Sequence, residues 1–159
     1  MEVKKMKKML VFVFLLSLPL MTLPVDRDTV IAADADHIGD IKIEKGNLKI
    51  GRDADVMGNI FIEEGDLFLE KSVDIVGSIT IKKGNIFIKD KVDVSKIMTV
   101  MEGNISMGNN NDIHADVVCK KGTVRMGANN DIHGDVYAQE LKRGSNSDIQ
   151  GKFIKTSVK

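Results

Sequence analysis

Residues 110–116 read NNDIHAD and residues 129–135 read NNDIHGD. The two phrases lie 19 positions apart and differ at one residue. Imidazole and carboxylate are the donors of divalent metal sites, and the same groups pass protons in active sites. Asparagine has a different habit, because its short amide bonds to nearby backbone and it tolerates the tight corners of a chain. The phrase therefore describes either a site present twice or a polar structural unit. The choice depends on the elements that carry it.

Those elements repeat. Aspartate stands at 36, 55, 74, 93, 112 and 131 in steps of 19, then at 148 after a step of 17. Ile or Val follows it at 56, 75, 94, 113, 132 and 149, with His37 the one exception. Glycine falls at 39, 58, 77, 134 and 151, and a second glycine column runs through 46, 65, 84, 103 and 122. A fixed period of this length is the mark of a solenoid. Inside one unit, GNIFIEEGDLFLEKSVDIV (58–76), the apolar residues alternate as Ile60/Ile62, Leu67/Leu69 and Val73/Ile75. Alternation with period two predicts three short strands, each with one buried face, and the EEG and EKS stretches between them read as turns. Three strands per 19 residues make one coil of a parallel β-helix. Neighbouring coils stack about 4.8 Å apart. The expected fold is all-β, a single right-handed parallel β-helix of about six coils. A left-handed hexapeptide helix fits less well, since it wants about 18 residues per coil. The expected organisation is a signal or anchor plus linker over 1–35, the β-helix over 36–154, and a tail over 155–159.

Composition narrows the function. Lys+Arg and Asp+Glu both number 23, so formal net charge is zero, which argues against nucleic acid as a partner. The single cysteine, Cys119, shares a column with Ile43, Ile62 and Ile81 and reads as a buried core thiol. At the N-terminus, MEVKKMKK precedes the apolar run MLVFVFLLSLPLMTLPV. A basic stretch before an apolar one is the pattern of an export signal, and about 17 apolar residues is the lower limit for a membrane span. The lysines precede the run, so the remainder is expected outside the cytoplasm, whether exported or membrane-anchored.

The unit G-[DN]-I-x-I-x-x-G-x-[LI]-x-[IL]-x-x-x-[AV]-D-[VI]-x-G resembles the repeat of bactofilins. Residues 38–60 and 132–153 carry it most closely, and it extends over roughly 38–154. The resemblance implies a right-handed, roughly triangular β-helix that polymerises end to end without nucleotide and associates with membrane or cell-wall machinery. The apparent export signal departs from most bactofilins, which are cytoplasmic.

Within the coil, the NNDIH phrases become one corner of adjacent turns. His114 is expected to stack on His133, between Ser95 and Gln150, and Asp112 on Asp131. Asn111 and Asn130 should point inward where Ala54, Val73 and Val92 stand in other coils. The asparagines are read as a ladder satisfying the corner backbone. No metal is assigned. His114, His133, Asp112 and Asp131 are the weak candidates if one binds. Stacked aspartates repel by roughly 1 kcal/mol per neighbouring pair in water. Turn N–H groups are expected to offset this, with Lys82, Lys83, Lys120 and Lys121 screening the rest. The sequence contains no G-x-S-x-G, H-E-x-x-H, P-loop or dinucleotide fingerprint, so neither enzyme activity nor a cofactor is expected.

Three function classes remain. One is a structural homopolymer, with Phe153 and Ile154 meeting the next subunit. Another is an exported module binding cell-wall polysaccharide or an envelope protein through Phe61 and Tyr137 on one face and Phe68 and Phe87 on another. An envelope enzyme is the least supported. Membrane is a partner if the N-terminal segment stays uncleaved.

Overall fold

The computed structural model describes residues 28–157. The apolar N-terminal run read as a signal or anchor lies outside the described residues. Twenty-one strands and no helix make up the described chain. They form three seven-stranded sheets, each all parallel, so every coil contributes one strand to each sheet.

Sheet A holds β1 (Thr29–Ile31), β4 (Leu48–Ile50), β7 (Leu67–Leu69), β10 (Ile86–Ile88), β13 (Ile105–Met107), β16 (Thr123–Met126) and β19 (Glu140–Lys142). Sheet B holds β2 (Asp36–Ile38), β5 (Asp55–Met57), β8 (Asp74–Val76), β11 (Asp93–Val94), β14 (Asp112–Ile113), β17 (Asp131–Ile132) and β20 (Asp148–Ile149). Sheet C holds β3 (Ile41–Lys45), β6 (Ile60–Glu64), β9 (Ile79–Lys83), β12 (Met98–Glu102), β15 (Val117–Lys121), β18 (Val136–Ala138) and β21 (Phe153–Lys155). This is a parallel β-solenoid of right-handed type, with coils of about 19 residues.

The register is the repeat itself. Ile60 pairs with Ile41 below and Ile79 above, and Asp93 pairs with Asp74 and Asp112. Alternation then sends one side chain of each strand inward and the next outward. The interior is filled by aliphatic columns, among them Ile43, Ile62, Ile81, Val100 and Cys119, each at most 1% exposed. Truncating a central member such as Ile81 to Ala is expected to cost about 2–5 kcal/mol, because stacked neighbours cannot collapse into the space.

There are seven coils, not six. The aspartate column from 36 to 148 has seven members, one per coil, and β1, in the stretch read as linker, belongs to the first of these coils. Thr29, Val30 and Ile31 carry no aspartate marker, yet they pair in register with Leu48, Lys49 and Ile50. At the other end β21 reaches Lys155.

The corners explain the polar columns. Gly103 has φ +142°, and a Cβ there would run into the carbonyl oxygen of Gly84 one coil below. That corner therefore requires glycine on both counts. Beside it, Asx side chains cap the coil above: Asn85 N–H donates to Asp66 Oδ1 at 2.7 Å and Asn104 N–H to Asn85 Oδ1 at 2.9 Å. A second such ladder runs at the corner between sheets B and C. There Asn59 N–H donates to Asp40 Oδ1 at 2.7 Å and Asp135 N–H to Asp116 Oδ1 at 2.8 Å.

Candidate functional site: the asparagine corner and the histidine–aspartate stack

The corner between sheets A and B turns through a left-handed residue in every coil. Ser72 and Lys91 adopt φ 58° and 59°, and Asn110 and Asn129 adopt φ 57° and 55°. Asparagine accepts this conformation more readily than other non-glycine residues. The first Asn of each NNDIH phrase thus sits where the backbone favours it.

The second Asn points inward, as expected. Asn111 and Asn130 are 2% and 1% exposed. Val92 N–H donates to Asn111 Oδ1 at 2.9 Å, and Asn111 N–H and Nδ2 donate to Asn130 Oδ1 at 3.0 and 2.9 Å. Asn130 Nδ2 donates to the Gly108 carbonyl at 2.9 Å. Asn130 N–H donates to Ser147 Oγ at 3.1 Å, and that hydroxyl donates to the Gly127 carbonyl at 2.7 Å. The buried amides are paired, which makes this part of the phrase structural.

Ile113 and Ile132 also point inward, and the aspartate and histidine on either side of each face outward on sheet B. His114 stacks on His133 with ring centroids 4.9 Å apart. Each imidazole lies between carboxylates of successive coils. His114 Nε2 is 3.2 Å from Asp93 Oδ1 and 3.7 Å from Asp112 Oδ2. His133 Nε2 is 3.0 Å from Asp112 Oδ1 and 3.8 Å from Asp131 Oδ2. Asp112 is the hinge of the group, with one oxygen toward each histidine. Ligand atoms of Asp112, His114 and His133 all lie within 4.8 Å of one another. Asp131 joins only through its longer contact to His133, and Gln150 Nε2 donates to its other oxygen at 3.5 Å.

Two expectations about charge are corrected. The aspartate column is not held by turn N–H groups. Those donors go to Asx residues of other columns, such as Asp40, Asp66 and Asp116. The reason is position: the aspartates of 36 to 131 sit within strands, whose N–H groups are committed to the ladder. Nor do the lysines of sheet C screen them. Lys82, Lys83 and Lys121 pair with Glu63, Glu64 and Glu102 of the coil below. The hydrogen bond from Lys82, with its charge, holds the Glu63 carboxyl below the usual range. In the lower coils the aspartates are left with each other: partial desolvation, then the charges of Asp55 and Asp93, push Asp74 upward.

The remaining candidates are dispersed. Phe61 and Tyr137 lie in one outward column of sheet C, separated by Thr80, Thr99 and Val118. Phe61 faces the Lys82 ammonium at 5.5 Å, and the Tyr137 hydroxyl meets Asp135 Oδ2 at 3.3 Å. Burial first, then the Asp135 charge, raises the Tyr137 phenol. Phe68 and Phe87 stack at 5.1 Å on the outside of sheet A. The four aromatics therefore occupy two faces. Phe153 and Ile154 form most of β21, exposed at 42% and 37%. Cys119 is fully buried, its thiol donating to the Gly103 carbonyl, and burial raises it to about 11.

A patch not singled out by sequence lies below the histidines. Ile38, Met57 and Val76 are 77%, 47% and 57% exposed and occupy the same outward column of sheet B. Their alternation with aspartate was the signal that could have found them.

The fold and these ladders define a parallel β-solenoid with polar corner columns. No family model, curated protein or solved structure matches the chain.

Proposed function

We propose that this chain is a non-enzymatic structural protein that associates end to end through its terminal coils, in the manner of a bactofilin, at the cell envelope. The observation that carries this is the state of the two ends. Sheets A, B and C finish in β19, β20 and β21 at one end and begin with β1, β2 and β3 at the other. Each is an edge strand among the described residues, offering the backbone groups of an unextended ladder. The apolar columns reach those edges. Leu141 and Ile149 are only half-buried and Phe153 is exposed at the C-terminal end, while Ile31 is half-buried at the N-terminal end. Phe153 lies over Val136 in the column that contains Ile41. A second subunit stacked end-on would continue both the strands and the columns. The N-terminal sequence supports an extracytoplasmic position, and the membrane is a partner if that segment is retained.

Electron microscopy and sedimentation of the purified chain test the reading. Filaments that disappear in Phe153→Asp are the expected result. A strict monomer at high concentration would overturn it.

A second reading rests on the Phe68–Phe87 stack. Two parallel rings, Phe87 exposed and Phe68 half-buried, suit the apolar face of a sugar, so cell-wall polysaccharide or an envelope protein is the alternative partner. Retention on cell-wall material that is lost in F68A/F87A would favour it.

A further inference from the structure

We propose that Asp112, His114 and His133 bind one divalent transition-metal ion of the zinc type across two adjacent coils. The proposal is independent of polymerisation.

The donor set selects the ion class. Two imidazoles and a carboxylate suit zinc, nickel or copper(II), whereas calcium takes six to eight oxygens and magnesium retains waters around an oxygen site. Separations fit as well. Ligands bound at about 2.0–2.2 Å in a tetrahedral arrangement stand about 3.3–3.5 Å apart. Asp112 Oδ1 lies 3.0 Å from His133 Nε2, Asp112 Oδ2 lies 3.7 Å from His114 Nε2, and one ligand atom from each of the three residues stands within 4.8 Å of the others, so only adjustments of about an ångström separate them from that spacing. All three side chains are 35–45% exposed, so small rotations can complete the approach.

A separate observation concerns alignment. Asp112 Oδ1 is buried and has no hydrogen-bond partner, although His133 Nε2 stands only 3.0 Å away. The approach is short enough for a hydrogen bond but not aligned as one. Lone pairs of two ligands aimed at a common ion converge beside each other, not along the line between the atoms. Ser95 Oγ, one coil below in the His114 column, is also buried without a partner. Below Ser95 the same outward column carries Ile38, Met57 and Val76, which offer no nitrogen donor. The site is thus confined to the coils that hold the NNDIH phrases.

The test is calorimetric titration of the full, untagged chain in mild detergent with zinc chloride and, separately, with calcium chloride. One zinc ion per chain is expected, with no calcium heat. His114→Gln and His133→Gln should each weaken zinc by about ten- to a hundredfold or more. His37→Gln, which alters the remaining histidine, should leave binding unchanged. Circular dichroism of each variant checks the fold. Asp112→Asn, nearly isosteric, should weaken zinc and change the visible absorption of the cobalt(II)-loaded chain. Absence of zinc binding, binding undiminished in H114Q and H133Q, or calcium bound as tightly as zinc would each overturn the proposal. The stack would then be a set of imidazole–carboxylate contacts alone.

Discussion

Val73 and Asn130 occupy the same inward slot of the same corner, three coils apart, and solve it in opposite ways. In the N-terminal half the slot is filled by Ala54, Val73 and Val92, and the outward column beside it by Ile38, Met57 and Val76. In the C-terminal half the slot holds Asn111, Asn130 and Ser147, and the outward column His114, His133 and Gln150. The backbone is the same in both, including the left-handed residue that precedes the slot. The fold therefore does not dictate polarity at this corner. It requires that what is buried be either apolar or fully paired, while the stacked carboxylates differ in whether anything stands between them. The histidines do so for Asp93, Asp112 and Asp131, while Asp74 has only its like-charged neighbours.

Exchanging the two solutions is the strongest way to break the comparison. Asn130→Val leaves Asn111 N–H, Asn111 Nδ2 and the Gly108 carbonyl without their partner. Each buried orphan costs about 1–3 kcal/mol, so a loss of at least about 3 kcal/mol in urea unfolding is expected. The Asn111→Val/Asn130→Val pair should lose less than the two single changes added together, since one removes the orphan amide the other creates. A neutral Asn130→Val would show that the ladder is dispensable. The reverse change, Val73→Asn, places one amide in the apolar half. Its oxygen has the Ala54 N–H in the pattern used by Asn111, and its Nδ2 has the Gly51 carbonyl in the pattern used by Asn130, but the buried aliphatic packing of Val73 is lost, so about 1–3 kcal/mol should be lost on the same measurement.

Sheet A carries a milder version of the contrast. Its outward column holds Phe68 and Phe87 in the lower coils, then Ser106, Arg125 and Lys142 above. Phe87→Ala removes the stack and is expected to cost about 1 kcal/mol, read by thermal unfolding.

The smallest effect sharpens the electrostatic side. Because Asp74 is shifted upward, the folded chain holds its proton to higher pH than the unfolded chain does. Ionisation therefore costs the folded state. That cost is fully present at neutral pH, fades as pH falls through the raised folded value, and is gone below the unfolded value of about 3.9. Asp74→Asn should raise Tm by about a degree or two at neutral pH and flatten its dependence across that window. An unchanged profile would mean that the column carries no appreciable repulsion at this position.

Much of this was legible before the structure. Period 19 with paired aliphatics identified the coil, placed Asn111 and Asn130 inside, stacked His114 on His133, and put Cys119 in the core. These follow from translation alone, since a repeat in sequence becomes a column in space. What escaped had no periodic marker or depended on which partner was nearer. β1 precedes the first aspartate of the column, so no periodic residue marked where its coil begins. The lysines chose glutamates on their own sheet over aspartates around the corner. The Asx side chains that receive corner N–H groups belong to columns adjacent to those singled out for it.

By itself the sequence determined the period, the stacking register and the inward or outward side of each residue, because a two-residue alternation on a fixed coil leaves no other choice. Only the tertiary structure decided where the side-chain atoms point. Both oxygens of Asp112 reach histidines, and the upper asparagines close their hydrogen bonds, because rotamers are set by packing between coils and not by their spacing along the chain.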